Sequence, residues 1–236
     1  MPEATHPPPQ NKILAALPGK EYDRLLPRLT PVSLPQGEVL YEMDDRIRHV
    51  YFVNTGVVSL VTHLKEGAGV EVGLVGNEGM VGLCIALGDD VSPNQAIAQI
   101  AGHGMQMEAA ALREELKGGG LLQPLLLRLT LALLKQVSQS AACNRSHHVA
   151  ERLARWLLTC HDRVEGDELK LTQEFIAEML GTRRAGVSEA ASILQGAGLI
   201  RYTRGHITVT DRAGLEELAC ECYGVVKAEY DRLLGA

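Results

Sequence analysis

Apolar positions change their period along this chain. Between residues 30 and 110 they come in short runs divided by turn signals. Val39-Leu40-Tyr41 follows a Pro35-Gln36-Gly37 turn. After it come Val50–Val53, Val57–Leu64, Val70–Val75, Ala96–Ile100 and Met105–Met107. Short strands at this spacing predict a sandwich or jelly roll. Asn54-Thr55-Gly56 reads as a hairpin turn, and Gly67-Ala68-Gly69 as the turn into the fourth run.

From residue 121 to 146 the period becomes helical. Leu126, Leu129, Leu133, Val137, Ser140 and Asn144 are spaced by three or four residues, as in a coiled-coil seam. This predicts a long helix that pairs with a second copy through Leu126, Leu129, Leu133, Val137 and Ser140. Leu125, Leu127, Leu131 and Leu134 fall off the seam and are expected to pack back on the β domain. Burial of the whole helix within one subunit is the other reading. A helix over 149–159 follows, with Leu153, Trp156 and Leu157 as its apolar face. HDRVEGDELK reads as a polar loop, and a last helix over 211–234 starts at an Asp211 N-cap.

Two shorter amphipathic helices lie between these. Phe175, Ile176, Met179 and Leu180 make one stripe; Val187, Ala190, Ala191 and Leu194 make the next, with Gly181 at the break. Thr172 is a plausible N-cap. This is the layout of a helix-turn-helix, whose second helix enters a DNA major groove N-terminus first. Arg183 and Arg184 sit at that N-terminus. Leu199–Tyr202 and Ile207–Thr210 predict two strands joined at Arg204-Gly205, a wing on which Arg201, Arg204 and His206 meet the phosphate backbone. The expected DNA-binding set is Thr172 and Gln173; then Thr182, Arg183, Arg184, Ala185, Ser188 and Glu189; and Arg201, Arg204 and His206 on the wing.

Composition narrows the class. A hydrophobic fraction of 46 % suits a soluble globular protein, and no apolar run reaches the roughly 18 residues of a membrane span. MPEATHPPPQ lacks the pattern of a secretion signal and predicts a flexible Pro-rich arm over residues 1–19. A cytoplasmic location is expected. The net charge of −6 is unevenly spread: residues 145–212 hold 10 Lys and Arg against 9 Asp and Glu, while residues 1–144 hold 11 against 15. The nucleic-acid-binding part is thus the least acidic. Five cysteines in no framework spacing predict reduced thiols. Cys220-x-Cys222 has no second ligand pair near it in sequence, so no metal and no cofactor is expected. Cys143, His147 and Glu151 lie one helical turn apart, but no oxyanion loop accompanies them, and no catalytic residue is assigned.

Several of these segments are also familiar together. VYFVNTGVVSL (50–60), ERLARWLL (151–158), LTQEFIAEMLGTRRAGVSEAASIL (171–194) and GLIRYTRGHITVTD (198–211) resemble the Crp/Fnr family of bacterial transcription regulators. The resemblance spans about residues 20 to 215. It implies an α+β fold: a β jelly-roll sensor domain (20–120), a dimerisation helix (121–146) and a winged helix-turn-helix domain (147–236). It also implies a homodimer on an inverted-repeat operator in double-stranded DNA, with RNA polymerase as a further partner.

The departures from the family pattern bear on the signal. Members that bind cyclic AMP place a Glu on the ribose and an Arg on the cyclic phosphate. At the matching positions this chain has Leu83 after Gly82, and Asn94 before Gln95-Ala96. An amide cannot neutralise a buried phosphate. The effector position, implied as Gly79, Gly82, Leu83, Asn94, Gln95, Ala96, Val137 and Ser138, is expected to take an unknown small molecule other than cyclic AMP, or none. An iron–sulfur sensor needs N-terminal cysteines, and none precedes Cys84; a haem ligand among His49, His63, His103 or Cys84 is not expected. Where many members carry Arg-Glu-x-x-x-Arg on the recognition helix, this chain has Arg184, Ala185 and Glu189, which predicts a different half-site. The alternative is a sandwich that serves only as a structural or protein-interaction dimer module.

Overall fold

The computed structural model describes residues 9–65, 67 and 69–235. Two short helices, α1 (Lys12–Ala15) and α2 (Gly19–Leu25), precede strands β1 (Thr30–Leu34), β2 (Val39–Tyr41), β3 (His49–His63), β4 (Gly69–Val75), β5 (Met80–Val81) and β6 (Gln95–Glu108). Then come α3 (Ala109–Lys117), the long α4 (Leu122–Ser146) and α5 (Val149–His161). The remainder is β7 (Glu168–Lys170), α6 (Gln173–Met179), α7 (Arg184–Gly196), β8 (Ile200–Thr203), β9 (His206–Val209), α8 (Arg212–Leu218) and α9 (Cys222–Leu234).

The flexible arm expected over residues 1–19 is corrected for its second half; residues 1–8 lie outside the described residues. Ile13 and Leu14 are buried, and Asn11 is fully enclosed. The Asn11 amide donates to the Val53 and Gly79 carbonyls at 2.8 Å, while its oxygen caps α1. One buried amide thus satisfies two strand carbonyls and a helix N-terminus.

The first six strands form one sheet built on two long members. The first half of β3 pairs with β5 and the end of β6. Its second half pairs with β4 and the start of β6. β1 and β2 flank opposite ends of β6. The hairpin expected at Asn54-Thr55-Gly56 is therefore a bulge inside a single strand, and the runs 96–100 and 105–107 are likewise one strand. Gly56 takes φ +84°, and a Cβ there would lie 2.6 Å from the Ile100 carbonyl oxygen, so only glycine fits. Ala68, in the expected turn before β4, lies outside the described residues.

The bulges also change which residues face inward. Val58 joins the sensor core with Val50 and Phe52. Val57, Val61 and Leu74 belong to a second core, with Leu153, Trp156 and Leu157 of α5 and the apolar stripes of α6 and α7. This half of the sheet is buried on both faces, which accounts for its continuous Val-Val-Ser-Leu-Val run. Polar ties reinforce the contact: Trp156 Nε1 donates to Glu71 at 2.9 Å, Gln36 Nε2 to the Lys170 carbonyl at 2.6 Å, and Arg163 pairs with Glu78 at 2.9 Å.

The seam expected on α4 is corrected at its first two residues. Leu126 and Leu129 are 0 % and 2 % exposed within their own chain, and Leu133 packs against Gly73. Leu125 does pack back, but Leu127, Leu131 and Leu134 are 47 %, 48 % and 60 % exposed. Burying a leucine is worth about 1.5–3 kcal/mol, and the sensor core takes that gain from the Leu126–Leu129 face. The last helix, expected as one, is two: Ala219 is extended (ψ 145°) and breaks it, after which α9 packs along α4. HDRVEGDELK includes a strand, β7, that pairs with β9.

Candidate nucleic-acid interface

Helices α6 and α7 follow from local chemistry. The Thr172 hydroxyl accepts the Phe175 amide at 3.2 Å and caps α6. Ile176, Ala177, Met179 and Leu180 turn inward. Gly181 then adopts φ +57°, a left-handed conformation open to glycine, and the chain turns. Arg183, with extended backbone, is the N-cap of α7. Val187, Ala190, Ala191 and Leu194 bury the inner face of α7. Ser188 Oγ donates to Gln173 Oε1 at 2.8 Å and ties the two helices.

The wing lies beside them. β8 and β9 pair in register from Ile200↔Val209 to Thr203↔His206, around a turn in which Arg204 (φ +48°) and Gly205 (φ +83°) are both left-handed. A groove between the helix pair and the wing is lined by Thr172, Gln173, Glu174, Arg184, Tyr202, Arg204 and Gly205. The Tyr202 hydroxyl donates to the Leu171 carbonyl at 3.1 Å and holds the wing against α6. Two guanidiniums, the Gln173 amide and two hydroxyls line this concavity beside the Glu174 carboxylate, and the guanidinium and amide donors suit phosphate oxygens and guanine edges.

The residues expected to touch DNA are all accessible. Thr172, Arg183, Arg184, Ala185, Glu189, Arg201, Arg204 and His206 are exposed; Gln173, Thr182 and Ser188 are half-buried. The fold gathers only Thr172, Gln173, Arg184 and Arg204 into the groove. Arg201 alternates with Tyr202 along β8 and so projects from the opposite face of the wing. His206 Nδ1 lies 2.6 Å from Glu168, which takes up much of its donor capacity. Tyr202, Glu174 and Gly205, which also line the groove, were not among the expected DNA contacts. Tyr202 was discoverable from strand alternation, but Glu174 joins the groove only through the packing of α6 on α7.

The N-terminal half contains a small cavity of about 150 Å³ beneath the 83–87 turn. Tyr41, Leu60, Met80, Val81, Gly82, Leu83, Cys84, Leu87, Ser92, Pro93, Asn94, Thr130 and Leu133 line it. Of the expected effector residues, Gly82, Leu83 and Asn94 line it, whereas Gly79, Gln95, Ala96, Val137 and Ser138 do not. Thr130 and Leu133 stand for α4 instead, about one turn earlier than expected. The Asn94 amide donates to the Thr62 hydroxyl at 2.7 Å, and Gln95 bridges Glu42 and His63.

The sequence profile of the cyclic nucleotide-binding domain matches residues 31–118, and that of the Crp-like helix-turn-helix domain matches residues 151–218. The chain belongs to the Crp/Fnr family of transcription regulators. It is similar to the CRP-like cAMP-activated global transcriptional regulator of Mycobacterium tuberculosis, 24 % identical over 202 residues that cover 83 % of this chain and 90 % of the relative. Its fold is that of FixK2 from Bradyrhizobium japonicum (TM-score 0.69, 22 % identity, 81 % and 98 % of the two chains). A CRP-family transcriptional regulator of Thermus thermophilus is also similar (TM-score 0.65, 22 % identity, 80 % and 96 %).

Within this Crp/Fnr protein Glu151 accepts the His148 backbone amide at 2.9 Å and so serves the start of α5. Among the described residues no single helix is long and apolar enough to cross a membrane.

Proposed function

We propose that this Crp/Fnr protein is a homodimeric, sequence-specific regulator that binds an inverted repeat in double-stranded DNA. The groove that sets Arg184 and Arg204 beside Thr172 and Gln173 carries the reading. A recognition helix entering the major groove brings Arg184 to a base edge, while the wing follows the backbone. The two heads are joined through the exposed stripe Leu127, Leu131 and Leu134 of α4. These residues step by four and three, a seam that continues at Ser138 and Ala141. RNA polymerase is the further partner, and the cytoplasm is where such a protein meets its operators.

The sensor responds to something other than cyclic AMP, or to nothing. None of the residues lining its cavity is charged, and its volume of about 150 Å³ falls below the roughly 300–1,000 Å³ usual for ligand pockets. A cyclic phosphate there would lose its water without gaining a cation. Binding-site selection from random duplexes with the full chain tests the proposal. The expected product is a two-fold symmetric motif with half-sites about 34 Å apart; recovery of unordered sequence would overturn it.

A further inference from the structure

The junction between α4 and the DNA-binding half holds a group of side chains that play no part in the groove. Cys143 lies near the end of α4, and His147 follows as its C-cap. Cys220 lies in the break between α8 and α9, and Cys222 opens α9. Folding closes more than 70 residues of sequence between the two pairs. The three sulfurs and one imidazole nitrogen all lie within 4.8 Å of one another. Cys143 Sγ is 3.5 Å from Cys220 Sγ, and Cys222 Sγ is 3.6 Å from His147 Nδ1. A tetrahedral zinc with bonds of about 2.3 Å to sulfur and 2.0 Å to nitrogen has ligand–ligand edges of roughly 3.5–3.8 Å. These two contacts already have that length.

The surroundings match a metal site as well. The three cysteines are buried and form a cluster separate from both apolar cores. His147 turns Nδ1 toward the sulfurs, and its Nε2 lies 3.1 Å from the Glu221 carboxylate. That is how a metal-binding histidine is usually oriented from behind. Gln139 Nε2 donates to Cys222 Sγ at 3.1 Å. Three thiolates and a divalent ion leave one negative charge, and the Arg152 and Arg155 guanidiniums lie within Coulombic reach of Cys143. Each of these arginines has a buried Nε with no hydrogen-bond partner.

We propose that Cys143, His147, Cys220 and Cys222 bind one zinc ion per chain in a closed Cys3His site. The ion clamps the end of α4 to the α8–α9 break. Thiolate and imidazole donors in a tetrahedral array favour zinc over harder cations. Four protein ligands leave no open position, so the site is structural. Binding needs the cysteines as thiolates and His147 neutral, and releases to solvent the protons these groups hold. Arg152 extends the clamp to the helix-turn-helix, because its guanidinium also donates to the Leu180 carbonyl beside the Gly181 turn.

The test is metal analysis of the full chain purified without chelators. One zinc per chain is expected, displaced in parallel with thiol modification by a mercurial. Cobalt(II) in its place should give the visible bands of a tetrahedral thiolate complex. Cys222→Ser should abolish both signals, and Cys84→Ser, in the sensor half, should leave them intact. Should Cys222→Ser fail to fold, Glu221→Gln decides: Glu221 is exposed, and losing its carboxylate should weaken zinc binding about 10- to 100-fold. A chain that takes up neither zinc nor cobalt at micromolar concentration overturns the proposal. So does a Glu221→Gln variant with unchanged affinity, an iron–sulfur chromophore, or a native Cys143–Cys220 disulfide.

Discussion

Arg184 Nε stands 3.0 Å from Glu174 Oε1, with both side chains about two-thirds exposed. Such a pair contributes about 0–1 kcal/mol, and a bidentate guanine contact about 1–3 kcal/mol. In the proposed complex a guanine edge therefore outcompetes Glu174, which aims the guanidinium until the base arrives. Arg184→Ala should cost about 1–3 kcal/mol per half-site and relax the preference at one base pair. Glu174→Gln should keep the preferred motif and tighten binding to all sequences. Binding-site selection on the three proteins decides; an Arg184→Ala variant that keeps the wild-type motif removes the base-reading role.

Arg183 is one residue earlier, exposed, at the N-cap of α7. It grips phosphate. Arg183→Ala should weaken specific and random duplexes alike and lower the salt dependence by about one counterion per contact. Fluorescence anisotropy across a salt series measures this; a change of sequence preference would reassign the residue.

The two faces of α4 should respond differently to charge. Leu131 is exposed at the proposed dimer seam, and Leu129 is enclosed in the sensor core. Leu131→Asp should yield folded monomers that bind the operator poorly, and Leu129→Asp should unfold the sensor. Sedimentation and circular dichroism separate these. A dimeric Leu131→Asp protein would place the interface elsewhere.

Glu71 makes the contact between the domains depend on pH. Burial raises it to about 7 from an ordinary 4.5, against the pull of hydrogen bonds from Ser59 and Trp156. The Ser59 hydroxyl touches both Glu71 and Gln99 Oε1. It has one proton: given to Glu71 it holds the carboxylate, and given to Gln99 it leaves the Ser59 oxygen to accept from a protonated Glu71. Between pH 4.5 and 7 the folded protein keeps a proton that the unfolded chain has released. Stability therefore falls as pH rises through that window and levels off above it. Glu71→Gln keeps an acceptor for Trp156 without the titration. Its thermal midpoint should exceed that of the wild type at about pH 8 and lose the slope across the window; parallel pH profiles would contradict this.

Cyclic AMP should give no saturable heat with the full chain in titration calorimetry. The cavity presents Leu83 and Asn94 rather than a carboxylate and a guanidinium. Micromolar binding would require a cationic residue to reach the phosphate from outside that lining.

The helix-turn-helix and the wing were legible in the sequence because their code is local. A Thr172 cap, a Gly181 turn, stripes at helical spacing and the Arg204-Gly205 turn each act within a few residues. The β character of residues 30–110 was legible for the same reason. Three other features depended on contacts between distant segments. Two leucine stripes of similar strength run along α4, and periodicity alone cannot tell which meets the chain's own core; the burial of Leu126 and Leu129 in the N-terminal core, with Leu129 beside Gly79, chose. Asn54-Thr55-Gly56 has the composition of a turn, yet β6 runs beside it throughout and makes it a bulge. Cys143 and His147 lack partners nearby in sequence, and only the break at Ala219, with α9 folded back along α4, brings Cys220 and Cys222 to them. Local propensity specifies the elements, while burial, which rewards whichever faces meet, decides how they are joined.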